Sequence, residues 1–131
     1  MRLALDTSAV AAVVFGEPRA EEMLDVMGRY AGGLYLGAAT RVELGIVVEA
    51  RQGPAATADL RLVLDSLRVN LVPFDEAQAE IALAAWRRFG KGRHPAGLNL
   101  GDCFSYAVSR AEGVPLLFVG NDFAQTDVLM P

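Results

Sequence analysis

Leu3-Ala4-Leu5-Asp6-Thr7-Ser8-Ala9-Val10 decides how the chain is read. Leu3, Ala4 and Leu5 form a short apolar run that stops at a carboxylate, and an apolar helical stretch, Ala9 to Phe15, follows almost at once. A strand apolar on both faces belongs inside a sheet covered on both sides. Thr7 and Ser8 are of the types that cap helices, so strand passes to helix within a few positions. Asp6 then stands at the carboxyl end of a buried strand, where open α/β sheets place their ligands. Taken alone, it serves equally well as a turn or cap residue. The rest of the chain bears on which.

The alternation continues outward. Gly16 and Pro18 end the first helix, and Ala20 to Tyr30 is expected as a second, with Met23, Leu24 and Met27 on one face and Glu21, Glu22 and Asp25 on the other. Leu34 to Leu36 reads as a strand, followed by a helix from Ala38 to Arg51 that is apolar around most of its circumference yet carries Glu43. Ala55 to Leu67 places Leu60, Val63, Leu64 and Leu67 at core-facing spacing. Val69 to Phe74 is a third strand, and Asp75 caps a helix, Glu76 to Phe89, with Ile81, Ala84, Ala85 and Trp86 inward. Gly90 to Gly97 is a loop by composition, and Leu98 to Asp102 opens a helix that runs to Glu112 and ends at Gly113. Pro115 to Val119, all apolar, is expected as a central or near-central strand, and Val128 to Met130 as a final edge strand. Strands separated by helices, with no hairpin turn between them, imply a parallel sheet between helical layers. The expected fold class is therefore α/β, a single three-layer α/β/α domain over residues 1–131 with a central parallel sheet of four to five strands.

The totals agree with such a domain. At 131 residues, 53% apolar and a mean hydropathy of +0.29, the chain can bury a substantial core. Asp6, Glu17 and Glu43 interrupt every apolar run long before the ~20 residues of a membrane span. A single cysteine, Cys103, excludes an internal disulfide and fits a reducing compartment, so the expected location is the cytoplasm. The net charge of −4 argues against adhesion to nucleic acid through a bulk positive field. Eleven of the twelve bases are arginine, Lys91 being the only lysine, as a GC-rich genome would produce.

Four acids stand out by position. Asp6 ends the first strand, Glu43 lies early in the helix after the second, Asp102 lies in the first turn of a helix after a Gly-rich loop, and Asp122 follows the last long strand. In a parallel sheet all strand carboxyl ends share one edge, so these four are expected around one crevice. Each has a plain structural use. Asp102 complements a helix dipole, worth ~0.3–1 kcal/mol; Asp122 caps the turn after it; Glu43 pairs with an arginine such as Arg41. Together they are harder to explain, since two unit charges ~4 Å apart repel by about 4 kcal/mol at an effective dielectric of 20. Protons or cations must relieve that. Hard oxygen donors, no cysteine cluster and a lone histidine point to Mg²⁺ or Mn²⁺ and away from zinc.

Leu5-Asp6-Thr7-Ser8-Ala9, Ala39-Thr40-Arg41-Val42-Glu43-Leu44, Gly101-Asp102-Cys103-Phe104-Ser105-Tyr106-Ala107 and Gly120-Asn121-Asp122-Phe123 occur in that order. The ordered set resembles the PIN-domain ribonucleases of the VapC type, the toxins of bacterial VapBC toxin–antitoxin pairs, over the whole chain. The resemblance implies a metal-dependent endoribonuclease in which Asp6, Glu43, Asp102 and Asp122 hold one or two Mg²⁺ or Mn²⁺ ions. Such an ion activates the attacking water and stabilises charge on the scissile phosphate, leaving a 5′-phosphate and a 3′-hydroxyl. Thr7, Ser8 and Asn121 are candidates to support the ligands from behind, although Thr7 or Ser8 serves equally as a helix cap. The resemblance further implies an RNA substrate, a cognate VapB-type antitoxin whose tail reaches the site, and a homodimer.

The remaining polar features carry less. Arg87, Arg88, Lys91, Arg93 and His94 concentrate basic groups beside the expected mouth of the site. They either guide an RNA backbone or form a solvated helix end whose cations favour its carboxyl terminus. His94, before Pro95, reads as a loop residue, Trp86, Met23 and Met27 as packing, and Cys103 as a small buried apolar group. Asp127 reads as a supporting or turn residue outside the core set. A phosphoacceptor receiver module would need an aspartate ending its third strand and a lysine after its last, and the only lysine is elsewhere. A haloacid-dehalogenase-type phosphatase would need an aspartate where Ser8 stands. A catalytically inactive PIN-like scaffold shares the fold and differs in losing acids, all four of which are kept. Replacing Asp6 or Asp102 by Asn is expected to abolish activity while leaving the metal-free fold as stable or slightly more stable.

Overall fold

In the computed structural model, which describes residues 1–131, the opening apolar run is strand β1, Leu3–Leu5, with all three side chains buried. The chain then forms α1 (Thr7–Phe15), α2 (Ala20–Arg29), β2 (Leu34–Gly37), α3 (Ala38–Gln52), α4 (Ala56–Ser66), β3 (Asn70–Val72), α5 (Glu76–Phe89), α6 (Leu100–Glu112), β4 (Leu116–Leu117) and a 3₁₀ turn (Phe123–Gln125). The sheet has four strands in the order β3-β2-β1-β4, all parallel, with Leu3 opposite Leu34, Ala4 opposite Leu116 and Tyr35 opposite Asn70.

Side chains alternate across a strand, so β1 feeds both layers at once. Leu3 and Leu5 join Val10, Met23, Met27, Leu34, Leu36, Leu44 and Leu60 in a core beneath α1 to α4. Ala4 belongs to the opposite core, with Ala82, Phe89, Leu98, Tyr106 and Leu116 beneath α5 and α6. This is the three-layer arrangement expected from the sequence. No helix is long and apolar enough to cross a membrane.

Several details depart from expectation. β3 spans only Asn70–Val72 of the expected Val69 to Phe74. The last long strand, expected over Pro115 to Val119 in a central position, is only Leu116–Leu117 and lies at the sheet edge. It is apolar throughout because the C-terminal segment covers its outer side: the Leu116 N–H donates to the Leu129 carbonyl at 3.0 Å. Pairing stops after Leu117 because the Val119 N–H turns to the Ser8 hydroxyl instead. Val128 to Met130 makes that contact without becoming a strand.

On α5 the inward stripe is Gln78, Ala82, Ala85 and Phe89, spaced by one helical turn each. Ala84 and Trp86, expected inward, face out, and Trp86 is 42% exposed. On α3 the inward stripe is Thr40, Leu44 and Val48, which leaves Val42 and Ile46 62% and 64% exposed. The helix is apolar around most of its circumference and buried along one stripe of it. Leu24 on α2 is exposed as well, while Met23 and Met27 are buried.

Candidate active site

Asp6 is built into the fold before any ligand is considered. Its N–H donates to the Leu117 carbonyl at 3.0 Å, locking β1 to β4, and its carboxylate caps α1. Oδ2 accepts from the Ser8 N–H at 3.0 Å and the Ser8 hydroxyl at 2.6 Å, while Oδ1 accepts from the Ser105 hydroxyl at 2.5 Å. Only 5% of the residue is exposed. Ser8 in turn accepts the Val119 N–H at 3.0 Å, so one hydroxyl ties the Asp6 carboxylate to the chain leaving β4.

Glu43 projects from the second turn of α3 toward the starts of α1 and α6. The Thr7 hydroxyl donates to its Oε1. Its carboxylate lies against Gly101, where a Cβ would meet both carboxylate oxygens and make the Glu43 side chain shift, so glycine leaves room for this approach. Asp102 completes a capping box at the start of α6. The Asn99 N–H donates to Asp102 Oδ2 at 3.0 Å and the Asp102 N–H donates to Asn99 Oδ1 at 2.9 Å.

Burial, together with the charges of Asp6, Asp122 and Glu43, pushes the Asp102 carboxyl up to about 6 against the Asn99 N–H, which pulls it down. All four acids therefore lie within electrostatic reach of one another at the carboxyl edge of the sheet. Asp122 is exposed, on the turn that follows β4. No three of the carboxylates are drawn together at the spacing a bound ion would impose.

Asn121 is exposed at the same turn, and its backbone carbonyl accepts from Gln125 Nε2 at 3.4 Å. It lines a groove on the α2 side with Arg19 and Met23. Thr7 and Ser8, by contrast, each touch an acid directly.

The basic cluster divides. Arg88 pairs with Asp127 at 3.0 Å and lies over the Phe89 ring, and Arg93 donates to the Arg87 carbonyl at 3.1 Å and lies over the Trp86 ring. Arg87 and Lys91 are exposed and form no ion pair. His94 accepts the Ala96 N–H on Nδ1 at 3.0 Å and meets Phe89 edge-on, which makes it a loop residue as read from the sequence.

Two features were not read from the sequence. One is Ser105, whose partner lies 99 positions away. The other surrounds Asp127, which accepts from the Tyr106 hydroxyl at 2.7 Å and meets Arg88 and Arg110 at 3.0 and 3.5 Å. Burial works against this carboxylate, yet Tyr106, Arg110 and Arg88 together hold it below its ordinary range. The same burial, with the Asp127 charge, pushes the Tyr106 hydroxyl up to about 12. Asp127 thus fastens the C-terminal segment to α5 and α6.

The family model of the PIN domain matches residues 3–129. This chain belongs to the PIN-domain family. Among curated relatives it is 44% identical over 126 residues to ribonuclease VapC of Mycolicibacterium smegmatis, covering 96% of this chain and 97% of that protein. It is 43% identical to ribonuclease VapC30 of Mycobacterium tuberculosis, covering 96% and 95%.

Solved structures share the fold at lower identity. Mycobacterium tuberculosis VapC20, a sarcin–ricin-loop-cleaving toxin, superposes with a TM-score of 0.80 at 18% identity, covering 98% of both chains. VapBC2 of Rickettsia felis, bound to a promoter DNA fragment, superposes with a TM-score of 0.79 at 14% identity, covering 99% of this chain and 96% of that one.

The strand order of this PIN domain also removes the receiver alternative. β3 lies at the sheet edge with β2 between it and β1, and Asp75 beyond it caps α5 by accepting the Gln78 N–H at 2.9 Å. A hard divalent cation fits the donor set of this PIN domain. Four carboxylates and two neighbouring hydroxyls lie along the edge, and the lone thiol, Cys103, is buried in a core with its pKa pushed up to about 11 by that burial and by Asp102.

Proposed function

We propose that this chain is a divalent-metal-dependent endoribonuclease acting as the toxin of a VapBC-type toxin–antitoxin pair, with Asp6, Glu43, Asp102 and Asp122 as the ligands of Mg²⁺ or Mn²⁺. The observation that supports the reading is that Asp6, Glu43, Asp102 and Asp122, from four parts of the chain, lie along one sheet edge, with the half-buried Asp102 in electrostatic reach of the other three. A cation held by these four carboxylates would supply charge neutralisation at the scissile phosphate and activation of the attacking water.

The chain's own residues prepare that site. Ser8 and Ser105 hold the Asp6 carboxylate, Thr7 holds Glu43, and the Asn99 backbone holds Asp102. Arg87 and Lys91, exposed and free of carboxylate partners, are the members of the basic cluster available to RNA phosphates. Curated relatives named ribonuclease VapC and a neighbour named VapBC2 support an RNA substrate and a VapB-type antitoxin. The reading includes a homodimer in the cytoplasm, for which Val42, Ile46, Trp86 and Leu100 are exposed apolar side chains to cover. Light scattering measures that assembly.

The deciding experiment is cleavage of a mixed single-stranded and structured RNA pool with Mn²⁺, with Mg²⁺ and with EDTA, by the parent chain and by Asp6→Asn and Asp102→Asn. Cutting that needs the cation and disappears in both variants supports the assignment, and 5′-phosphate ends identify water as the nucleophile. Cutting that survives EDTA, or either substitution, overturns it.

A further inference from the structure

Asp6 reaches the cleft with both carboxylate oxygens already held. The Oδ2 partners are local, both from Ser8, and belong to the start of α1. The Oδ1 partner is remote: Ser105 on α6, at 2.5 Å, 1% exposed. Behind Ser105 stands Thr40 of α3, fully buried, with its hydroxyl 3.5 Å from that of Ser105.

A buried hydroxyl is costly unless it is bonded, and Ser105 and Thr40 are both shut off from solvent. Packing alone would be served by alanine. A serine hydroxyl carries one proton, and an ionised carboxylate only accepts. With the Ser105 proton directed to Asp6, the Thr40 hydroxyl is the one left to donate across the 3.5 Å between the two. The chain of bonds has one direction, from Thr40 to Ser105 to Asp6.

Its placement is regular. Ser105 stands three residues after Asp102 on α6, and Thr40 stands three residues before Glu43 on α3. Residues three apart share a helix face. Each helix thus sends one acid toward the cleft and one hydroxyl behind Asp6.

We propose that Ser105, backed by Thr40, is a positioning residue that aims the Asp6 carboxylate for the divalent cation. This rests on the reading of Asp6 as a metal ligand. Groups that orient a ligand from behind typically change metal affinity about 10- to 100-fold when removed.

The test measures Mn²⁺ binding to the full chain by calorimetry at a temperature where circular dichroism shows the metal-free protein folded, alongside metal-free melting in EDTA. Ser105→Ala is expected to weaken Mn²⁺ at least about tenfold. Thr40→Val, which keeps the shape and removes the donor, is expected to weaken it by a smaller factor, and Thr40→Ser to bind as the parent does. If Ser105→Ala does not fold, Thr40→Val against Thr40→Ser decides. Parent-like Mn²⁺ affinity in the folded variants, whatever their melting temperatures, makes the hydroxyls structural and overturns the inference. A parent chain that binds no Mn²⁺ overturns the metal-site reading itself, and this inference with it.

Discussion

Asp6 and Asp102 are both acids of one cleft, yet the structure gives them opposite roles in stability. Asp102 is raised from 3.8 to about 6, so between those values the folded chain holds a proton that the unfolded chain has released. The metal-free fold therefore loses stability as pH rises from about 4 to about 6, and the cost is fully present above that. A shift of this size, discounted because water reaches the carboxylate, corresponds to about 1–2 kcal/mol. Asp102→Asn should melt higher than the parent in EDTA at pH 7.5, with the gap narrowing as pH falls to 5. Asp6 accepts from three donors, and an Asn amide would turn an NH₂ toward one of them. Asp6→Asn should melt lower in EDTA, by about 1–2 kcal/mol. Melts of the two variants across pH check both signs: both melting higher would mean that the hydrogen bonds at Asp6 do not matter, and both melting lower that burial of the Asp102 charge is not costly. Sequence alone treats the pair alike, because the acids are visible in it and their hydrogen-bond partners are not. Ser8 lies two positions from Asp6 and is legible as a cap; Ser105 lies 99 positions away and becomes visible only when α6 packs on β1.

At the scale of elements, order and type are legible from β1 to β4, because each strand is a short apolar run and each helix has a period and a stop signal, whereas Val128 to Met130 is not the final strand expected. What failed was the inference from apolarity to position. β4 is apolar because the C-terminal segment covers it, and Trp86 is exposed because the inward stripe of α5 runs through Ala82, Ala85 and Phe89. Burial depends on what comes to lie against an element, and for β4 that partner arrives last in the chain. Its fastening is Asp127, held between Tyr106 on α6 and Arg88 on α5. Tyr106→Phe removes one donor and keeps the ring, so it should cost about 1 kcal/mol at neutral pH. Because the partners hold Asp127 below its ordinary range, the stability it contributes is present above the usual carboxylate pKa and fades as pH falls through the lowered value. Urea unfolding of Tyr106→Phe at pH 7 measures the cost, and an unchanged midpoint would show that the two arginines alone suffice.

For the molecule as a whole, the charge distribution decides how a cation should act. The chain has 16 acids and 12 bases, and setting aside Asp6, Glu43, Asp102 and Asp122 leaves 12 of each. The net charge of −4 is thus numerically the charge of the cleft, and the rest of the surface has no excess of either sign to draw in RNA or repel it. Divalent cations bound there remove the chain's excess charge and the repulsion among its carboxylates in one step. Cations held by the four acids as proposed would bind only where the fold has gathered them, and would stabilise the folded state over the unfolded one. At a free cation concentration 100 times its dissociation constant the gain is about 2.7 kcal/mol, or roughly 10 °C in melting temperature for a domain of this size. The melting temperature should therefore climb with the logarithm of Mn²⁺ concentration, and Asp102→Asn, although more stable in EDTA, should climb far less and be overtaken by the parent. That crossing of two melting curves is the signature of acids that are costly without metal and stabilising with it. If Mn²⁺ leaves the melting temperature of both proteins unmoved, the four carboxylates belong to the architecture and the nuclease must work without them.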